Sequence, residues 1–273
     1  MENKVEKMRL DIFLVKKGLS ESRSKAQQMI ERGSVKVNGV VCKDSSKKVT
    51  DRDLIDILEA PKYVSRAGYK LEGLFNRVKI ALNERIACDI GSSTGGFTDF
   101  LLQNGVKKVY AVDVNTDQLH EKLSNDSRVI KIKKNARELS VKDIGEQVDI
   151  VTTDVSFISV RKLRENIYNV LLHRGCAIIL IKPQFEVGYQ HSGIIKRKDK
   201  HVEVLSAVLL DFMKVGFVLK ALDYSKILGS DGNIEFFAVF EKSDSSDLIE
   251  VNHDDIMKIV DLAWEEHYKC TES

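Results

Sequence analysis

The 273-residue chain has four cysteines, two prolines and one tryptophan, and it contains no long hydrophobic run. Cys42, Cys88, Cys176 and Cys270 stand far apart with no CxxC pair, which argues against a disulfide framework or a zinc site and for reduced thiols. His173, His191 and His253 show no ligand spacing, so no metal is expected. The longest clean apolar stretch, Cys176 to Ile181, is far shorter than a bilayer requires. The opening Met1-Glu-Asn-Lys-Val-Glu-Lys7 lacks the apolar core of a signal peptide. These absences lead us to expect a cytoplasmic protein with no membrane partner. Internal repeats and low-complexity tracts are also missing.

Net charge is only +2, but it is unevenly distributed. Residues 1–50 carry 12 Lys+Arg against 6 Asp+Glu, a net +6, whereas the remainder carries 31 against 35, a net −4. A small basic module on a slightly acidic body fits contact with a polyanion; a merely solvated surface is the alternative. Within the module, Arg9–Lys17 reads as a helix with Leu10, Phe13 and Leu14 on one face, and a second helix follows from about Ser22 to Glu31. Gly33 ends it. Val35-Lys-Val-Asn-Gly39 is a strand running into an Asn-Gly turn, Val40–Thr50 alternates again, and Asp53–Leu58 completes a small β unit. Pro61 cannot continue a ladder and marks a linker. The expected division is a small α+β domain over 1–59, a linker over 60–64 and a larger α/β domain over 65–273.

From Val64 onward strands alternate with helices. Expected strands are 86–90, 108–113, 129–132, 148–154, 177–182, 217–223 and 235–240; helical stretches lie at 67–75, 96–102, 118–123, 160–171, 202–215 and 256–267. This pattern predicts a doubly wound, mainly parallel sheet. Between the first strand and its helix runs Asp89-Ile-Gly-Ser-Ser-Thr-Gly-Gly-Phe97, which lacks the Gly-x-Gly-x-x-Gly spacing that seats a pyrophosphate. Gly91, Ser92, Gly95, Gly96 and Phe97 would instead form a tight turn under the amino-acid end of S-adenosyl-L-methionine. Asp113, 22 residues after Gly91, would hold ribose hydroxyls, and Asn135 is the candidate for the adenine edge. Taken alone, the turn also allows a nicotinamide or purely structural reading; Asp113 and Asp154 at successive strand ends favour the methyl donor.

Lys70, Asp154, Lys182 and Glu235 fall at strand ends or equivalent turns and supply two cations and two anions. Such a set suits removal of a proton from a weakly acidic ribose hydroxyl. Lys182, closing the buried run Ile178–Ile181 and followed by Pro183, is the expected base, with Lys70 the neighbouring cation; Asp154 and Glu235 would orient the two. The segment 188–201, with Lys196, Arg197, Lys198 and Lys200, would form a basic lid or an ordinary charged loop.

Two resemblances add to this reading. Arg9-Leu-Asp-Ile-Phe-Leu-Val15, Gly18-Leu19, Ser22-Arg-Ser-Lys-Ala26, Ile30-Glu-Arg-Gly33 and Val35-Lys-Val-Asn-Gly39 resemble the S4 RNA-binding domain. That likeness implies that Arg9, Arg23, Lys25, Arg32 and Lys36 lie on RNA phosphates. The Lys70–Asp154–Lys182–Glu235 set resembles that of the FtsJ-like RNA 2′-O-methyltransferases. The whole chain is similar to the TlyA family, ribosomal RNA cytidine 2′-O-methyltransferases also called haemolysins. The stretches that carry this are Val64-Ser-Arg-Ala-Gly-Tyr-Lys-Leu71 (with Arg66 as a further RNA contact), Asp154-Val-Ser-Phe-Ile-Ser159, Lys182-Pro-Gln-Phe-Glu186 and Gly232-Asn-Ile-Glu-Phe-Phe237. Thr94 stands where the FtsJ-like proteins usually carry Pro. The resemblance implies a Rossmann-like S-adenosylmethionine-dependent methyltransferase domain behind an S4 domain, with ribosomal RNA or a ribosomal subunit as partner. A non-catalytic ribosome-binding or assembly factor and a membrane-acting cytolysin are the competing readings.

Overall fold

A computed structural model describes residues 7–31, 33–58, 61–187, 193–243 and 252–268. The chain divides into two compact units, Met1–Lys62 and Tyr63–Ser273. In the first, β1 (Met8–Arg9) leads into α1 (Leu10–Lys16) and α2 (Arg23–Glu31), followed by β2 (Val35–Val37), β3 (Val40–Val41), β4 (Lys48–Val49) and β5 (Ile55–Ile57). Leu10, Phe13, Leu14, Ala26 and Ile30 from the helices meet Val35, Val37 and Val49 in one core. Asn38 and Gly39 both take positive φ (54° and 81°), as a two-residue hairpin turn between β2 and β3 requires. The stretch 40–50, expected as one strand, is split. Asp44 accepts from the Ser46 amide (2.8 Å) and hydroxyl (2.6 Å), making a local turn, and β4 pairs with β1 instead.

The second unit begins with α3 (Arg66–Phe75) and then alternates. Its elements are β6 (Ile86–Ile90), α4 (Gly96–Gln103), β7 (Lys108–Asp113), α5 (Glu121–Ser124), β8 (Val129–Lys133), α6 (Val141–Ile144) and β9 (Val148–Thr153). They continue with α7 (Arg164–Val170), β10 (Leu171–Ile181), α8 (Pro183–Glu186), α9 (Lys198–Met213), β11 (Phe217–Tyr224), β12 (Phe236–Lys242) and α10 (His253–Tyr268). The seven strands form one sheet in the order β11-β12-β10-β9-β6-β7-β8. β8, β7, β6, β9 and β10 are parallel, and β12 is antiparallel to both of its neighbours.

The apolar run in β10 follows from burial on both faces. Ala177, Ile179 and Ile181 join one core with Leu205, Val208 and Phe212 of α9, while Ile178 and Leu180 join the other with Leu71, Leu74 and Phe100. β10 begins earlier than expected, at Leu171, with an irregularity in pairing between Leu171 and Cys176. The helix expected at 118–123 is broken into a 3-10 turn at Thr116–Gln118 and α5. The Asn115 and His120 side chains each accept from the amide two residues on and so cap two separate turns.

This topology positions the site. Asp154 follows β9 and Lys182 follows β10, both at the carboxyl edge of the parallel strands. Glu235 immediately precedes β12; because β12 runs antiparallel, with Phe236 opposite Ile181, its start lies at that same edge.

Candidate active site

The four charged residues form two close pairs. Lys70 Nζ donates to Glu235 Oε2 at 2.6 Å, and both side chains are buried. Lys182 Nζ lies 2.7 Å from Asp154 Oδ1 and donates to Ser156 Oγ at 3.0 Å. Burial pushes the Glu235 carboxyl above its ordinary range; Lys70, and more weakly Lys182, oppose that shift, while Asp154 adds to it. Glu235 therefore feels all three other members of the set. All four residues line one cavity of about 510 Å³, together with Arg66, Asp89, Gly91, Ser92, Gly96 and Phe97.

Gly229 makes room for Glu235, since a Cβ there would come within 2.5 Å of Glu235 Oε1. Its loop is tied down on both sides. Asn233, buried, accepts from the Ile195 amide (2.9 Å) and donates to the Gly193 carbonyl (3.3 Å), and Arg66 Nη2 donates to the Leu228 carbonyl (2.8 Å). Neither Gly229 nor Asn233 stands out from residue type alone, although Asn233 lies within the family-like stretch 232–237.

The residues expected to hold a cofactor fall into three groups. Gly91, Ser92, Gly96 and Phe97 line the cavity just described, whereas Asp113 and Asn135 line a neighbouring one of about 410 Å³. Gly91, Ser93, Asp154 and Ser156 border both cavities and join them into a groove. Gly95 is absent from both linings: it has φ +95°, and a Cβ there would meet Leu123 Cδ1 at 2.2 Å, so the glycine serves packing under the turn. Gly96 is likewise pressed by α3, with Ser65 Oγ 2.2 Å from the position of its missing Cβ. Asp113 accepts from the Ser93 amide (3.0 Å) and the Asn115 amide (2.9 Å), which fixes the carboxylate against the turn. Asn135 caps the 3-10 turn at Ala136–Glu138 by accepting from the Arg137 amide.

The groove fits S-adenosyl-L-methionine on its own chemistry. At Gly91 (φ +82°) a Cβ would sit 3.0 Å from the Asp154 carbonyl, so only glycine lets this turn close against the loop after β9. The Asp113 carboxylate offers acceptors for a diol at the far end. Asp89, fully buried, accepts from Thr98 Oγ1 (2.7 Å) and Thr152 Oγ1 (2.9 Å), and burial raises its pKa to about 6.

A third cavity, about 760 Å³, adjoins the loop after β9 and is lined by Phe157, Phe185, Arg137, Arg161, Lys162 and Arg164 among others. Phe157 is 89% exposed and its backbone has φ +64°, a conformation costly for a bulky residue. It leans on Phe185 with ring centroids 5.2 Å apart. Glu186, whose carboxyl is raised by burial, accepts from Ser159 Oγ (2.5 Å) and the Val160 amide (2.8 Å), so it ties this loop to α8. Both phenylalanines lie inside family-like stretches, but nothing in the sequence marked the exposure of Phe157.

Among the expected RNA contacts, Arg9 and Arg23 converge on Asp11. Arg9 forms a two-pronged pair at 3.0 Å, Arg23 Nε adds a third contact at 3.0 Å, and Gln27 a fourth at 2.9 Å. The Arg9 guanidinium holds the buried Asp11 carboxyl well below the usual range. Lys25 pairs with Glu21, and Lys36 lies in β2 opposite Asp56. Arg32 lies outside the described residues, as do 188–192 (with His191), Ala60 of the expected linker, and Cys270. The expected basic lid is corrected in part: Lys198 and Lys200 belong to α9, not to a loop. Arg197 pairs with Asp199, Lys198 with Asp261 (2.5 Å) and Lys200 with Glu203 (2.5 Å), leaving Lys196 as the exposed cation without a carboxylate partner among the described residues.

Residues 63–242 match the family model of the FtsJ-like methyltransferases, and residues 8–55 match that of the S4 domain. Hemolysin A of Brachyspira hyodysenteriae is 41% identical over 238 residues, covering 85% of this chain and 99% of its own. The 16S/23S rRNA (cytidine-2′-O)-methyltransferase TlyA of Mycobacterium tuberculosis is 33% identical over 235 residues, covering 84% of this chain and 88% of its own. A solved structure from Streptococcus thermophilus, described as a hemolysin, is 37% identical with a TM-score of 0.74, covering 98% of this chain and all of that one.

Proposed function

The chain belongs to the TlyA family of S4-bearing, FtsJ-like methyltransferases, and from that membership we propose that it methylates a ribose 2′-hydroxyl of ribosomal RNA, that of a cytidine. The observation that carries this reading is the pair of Lys–carboxylate contacts, Lys70–Glu235 and Lys182–Asp154, in one groove with the glycine turn.

S-adenosyl-L-methionine, when bound, supplies the electrophilic methyl group. Gly91, Ser92, Gly96 and Phe97 would hold its amino-acid end, Asp113 its ribose hydroxyls and Asn135 its adenine edge. Lys182 takes the proton from the attacking hydroxyl. Asp154 anchors that lysine, and the Lys70–Glu235 pair sets the charge around the oxygen as it becomes more negative. Phe157 and Phe185 offer a stacking surface for an unpaired base, while Arg137, Arg161, Lys162 and Arg164 meet phosphates. In the S4 unit, Arg9, Arg23, Lys25, Arg32 and Lys36 bind backbone phosphates; Asp11 preorganises the first two. Arg66, Lys196, Arg197 and Lys198 extend the basic surface of the larger unit.

The hemolysin names of relatives favour a membrane-acting reading, yet no helix among the described residues is long and apolar enough to cross a membrane. Labelled methyl donor, incubated with purified small and large ribosomal subunits, tests the proposal. Label recovered after alkaline hydrolysis in a resistant dinucleotide is the expected result, because a 2′-O-methyl group blocks cleavage at that ribose. Label recovered only in mononucleotides would mean base methylation and overturn it.

A further inference from the structure

Lys182 differs from Lys70 in the company its amine keeps. Lys70 Nζ donates a hydrogen bond to the Glu235 carboxylate, whereas Lys182 Nζ lies 2.7 Å from Asp154 Oδ1 as an ion pair without a hydrogen bond and donates its hydrogen bond to Ser156 Oγ at 3.0 Å. A neutral primary amine has two N–H bonds and one lone pair, arranged tetrahedrally. Ser156 Oγ takes one N–H position, Asp154 attracts the amine without an aligned hydrogen bond, and all three residues line the groove. Without the Ser156 hydroxyl no hydrogen bond would fix the turn of the amine about its Cε–Nζ bond, and its lone pair would sweep past the substrate.

Asp154 and Ser156 come from one loop, two residues apart, beside the strand that Lys182 follows. That loop is itself fastened to the segment after Lys182. Glu186, four residues on, accepts from Ser159 Oγ and from the Val160 amide. The geometry is thus closed on both sides: the segment that carries the amine also holds the loop that orients it. Ser156 further borders the cavity containing Asp113 and Asn135, at the junction between the two halves of the groove.

We infer that Ser156 is a positioning residue for Lys182, acting with Asp154 to aim the amine lone pair at the ribose hydroxyl; the inference rests on the methyltransferase reading above. A surface serine with an incidental hydrogen bond would have no such role.

Single-turnover methyl transfer to ribosomal subunits separates the two. Ser156→Ala should slow the maximal rate about 10- to 100-fold, the effect of losing one hydrogen bond to an ionisable group, while KM for the subunit and the affinity for the methyl donor stay within about twofold. Ser156→Thr, which keeps the hydroxyl, should recover the rate to within about threefold. In the double variant with Lys182→Ala, removing Ser156 should cost nothing further, since its effect passes through the lysine. A Ser156→Ala rate within twofold of wild type, or an equal additional loss in the Lys182→Ala background, would overturn the inference while leaving the methyltransferase reading intact. Failure of the wild-type protein to transfer methyl to either subunit would instead bring down that reading, and the inference with it.

Discussion

At the scale of single residues, burial and pairing decide which charges can act. Asp89 is the clearest case, because among the described residues its carboxylate pairs with no lysine or arginine and accepts from the Thr98 and Thr152 hydroxyls and the Thr98 amide. Its folded-state pKa of about 6 lies above that of an exposed aspartate, so the fold favours the protonated form. The resulting stabilisation is complete below about pH 4 and is lost as pH rises through 6. Asp89→Asn, neutral at every pH, should therefore gain on wild type by roughly 2–3 kcal/mol between pH 4 and pH 8, followed as the difference in thermal unfolding. A difference that does not change with pH would show that Asp89 ionises normally. Asp154, Lys182 and Glu235 were legible as strand-end charges, since a lysine or carboxylate closing a buried run is conspicuous; Lys70, expected at a strand end or equivalent turn, lies instead inside helix α3. Their pairing was not: Lys70 and Glu235 are 165 positions apart, and only the antiparallel β12 turns Glu235 to face the helix that carries Lys70.

At the scale of elements, the glycine turn shows why composition can suggest a feature for a partly different reason. Its glycines looked suited to a ligand, and Gly91 and Gly96 do border the groove, but Gly95 and Gly96 are also demanded by protein neighbours. Helix α3, which carries Lys70, packs on α4 through the close approach of Gly68 and Gly96: a Cβ at Gly68 would meet Tyr63 Cβ at 2.5 Å and the Gly96 carbonyl at 3.0 Å. Gly68→Ala should accordingly destabilise the protein by about 1–3 kcal/mol and reduce methyl transfer by displacing Lys70. Gly73→Ala, on the same helix with its nearest neighbour 3.8 Å away, should instead be neutral or stabilise by up to about 1 kcal/mol. Denaturant melts of the two variants make the comparison; equal effects would mean that helix propensity, not packing, governs α3. Strands such as β6 and β7 were readable to the residue because they are buried apolar runs closed by turn chemistry. β4 was not, since two residues carry no period and its partner β1 lies some 40 positions away.

At the scale of the whole molecule, charge is partitioned between the units in the manner expected for RNA recognition. The net +6 of residues 1–50 is partly committed to internal pairs, as the convergence of Arg9 and Arg23 on Asp11 shows. Such pairing fixes the direction of both guanidiniums, whose side chains remain partly exposed. Replacing Arg23 and Lys36 together by Ala should weaken subunit binding and reduce the slope of log affinity against log salt by roughly 0.7–0.9 for each phosphate that is no longer neutralised. Affinity for the methyl donor should not change. An unaltered salt slope would remove these two residues from the RNA face. The charge shift and Pro61 were what suggested two domains in the sequence, whereas the aromatic and basic cavity around Phe157 was invisible, because exposure of a phenylalanine cannot be read from its neighbours in sequence.

The most direct test concerns Lys182. Single-turnover transfer by Lys182→Ala, at saturating methyl donor and with donor binding verified separately, should fall by at least about a hundredfold relative to wild type, in line with loss of a general base. Retention of the wild-type rate to within tenfold, with product still methylated on the ribose, would contradict the assignment of Lys182 as the residue that takes the proton.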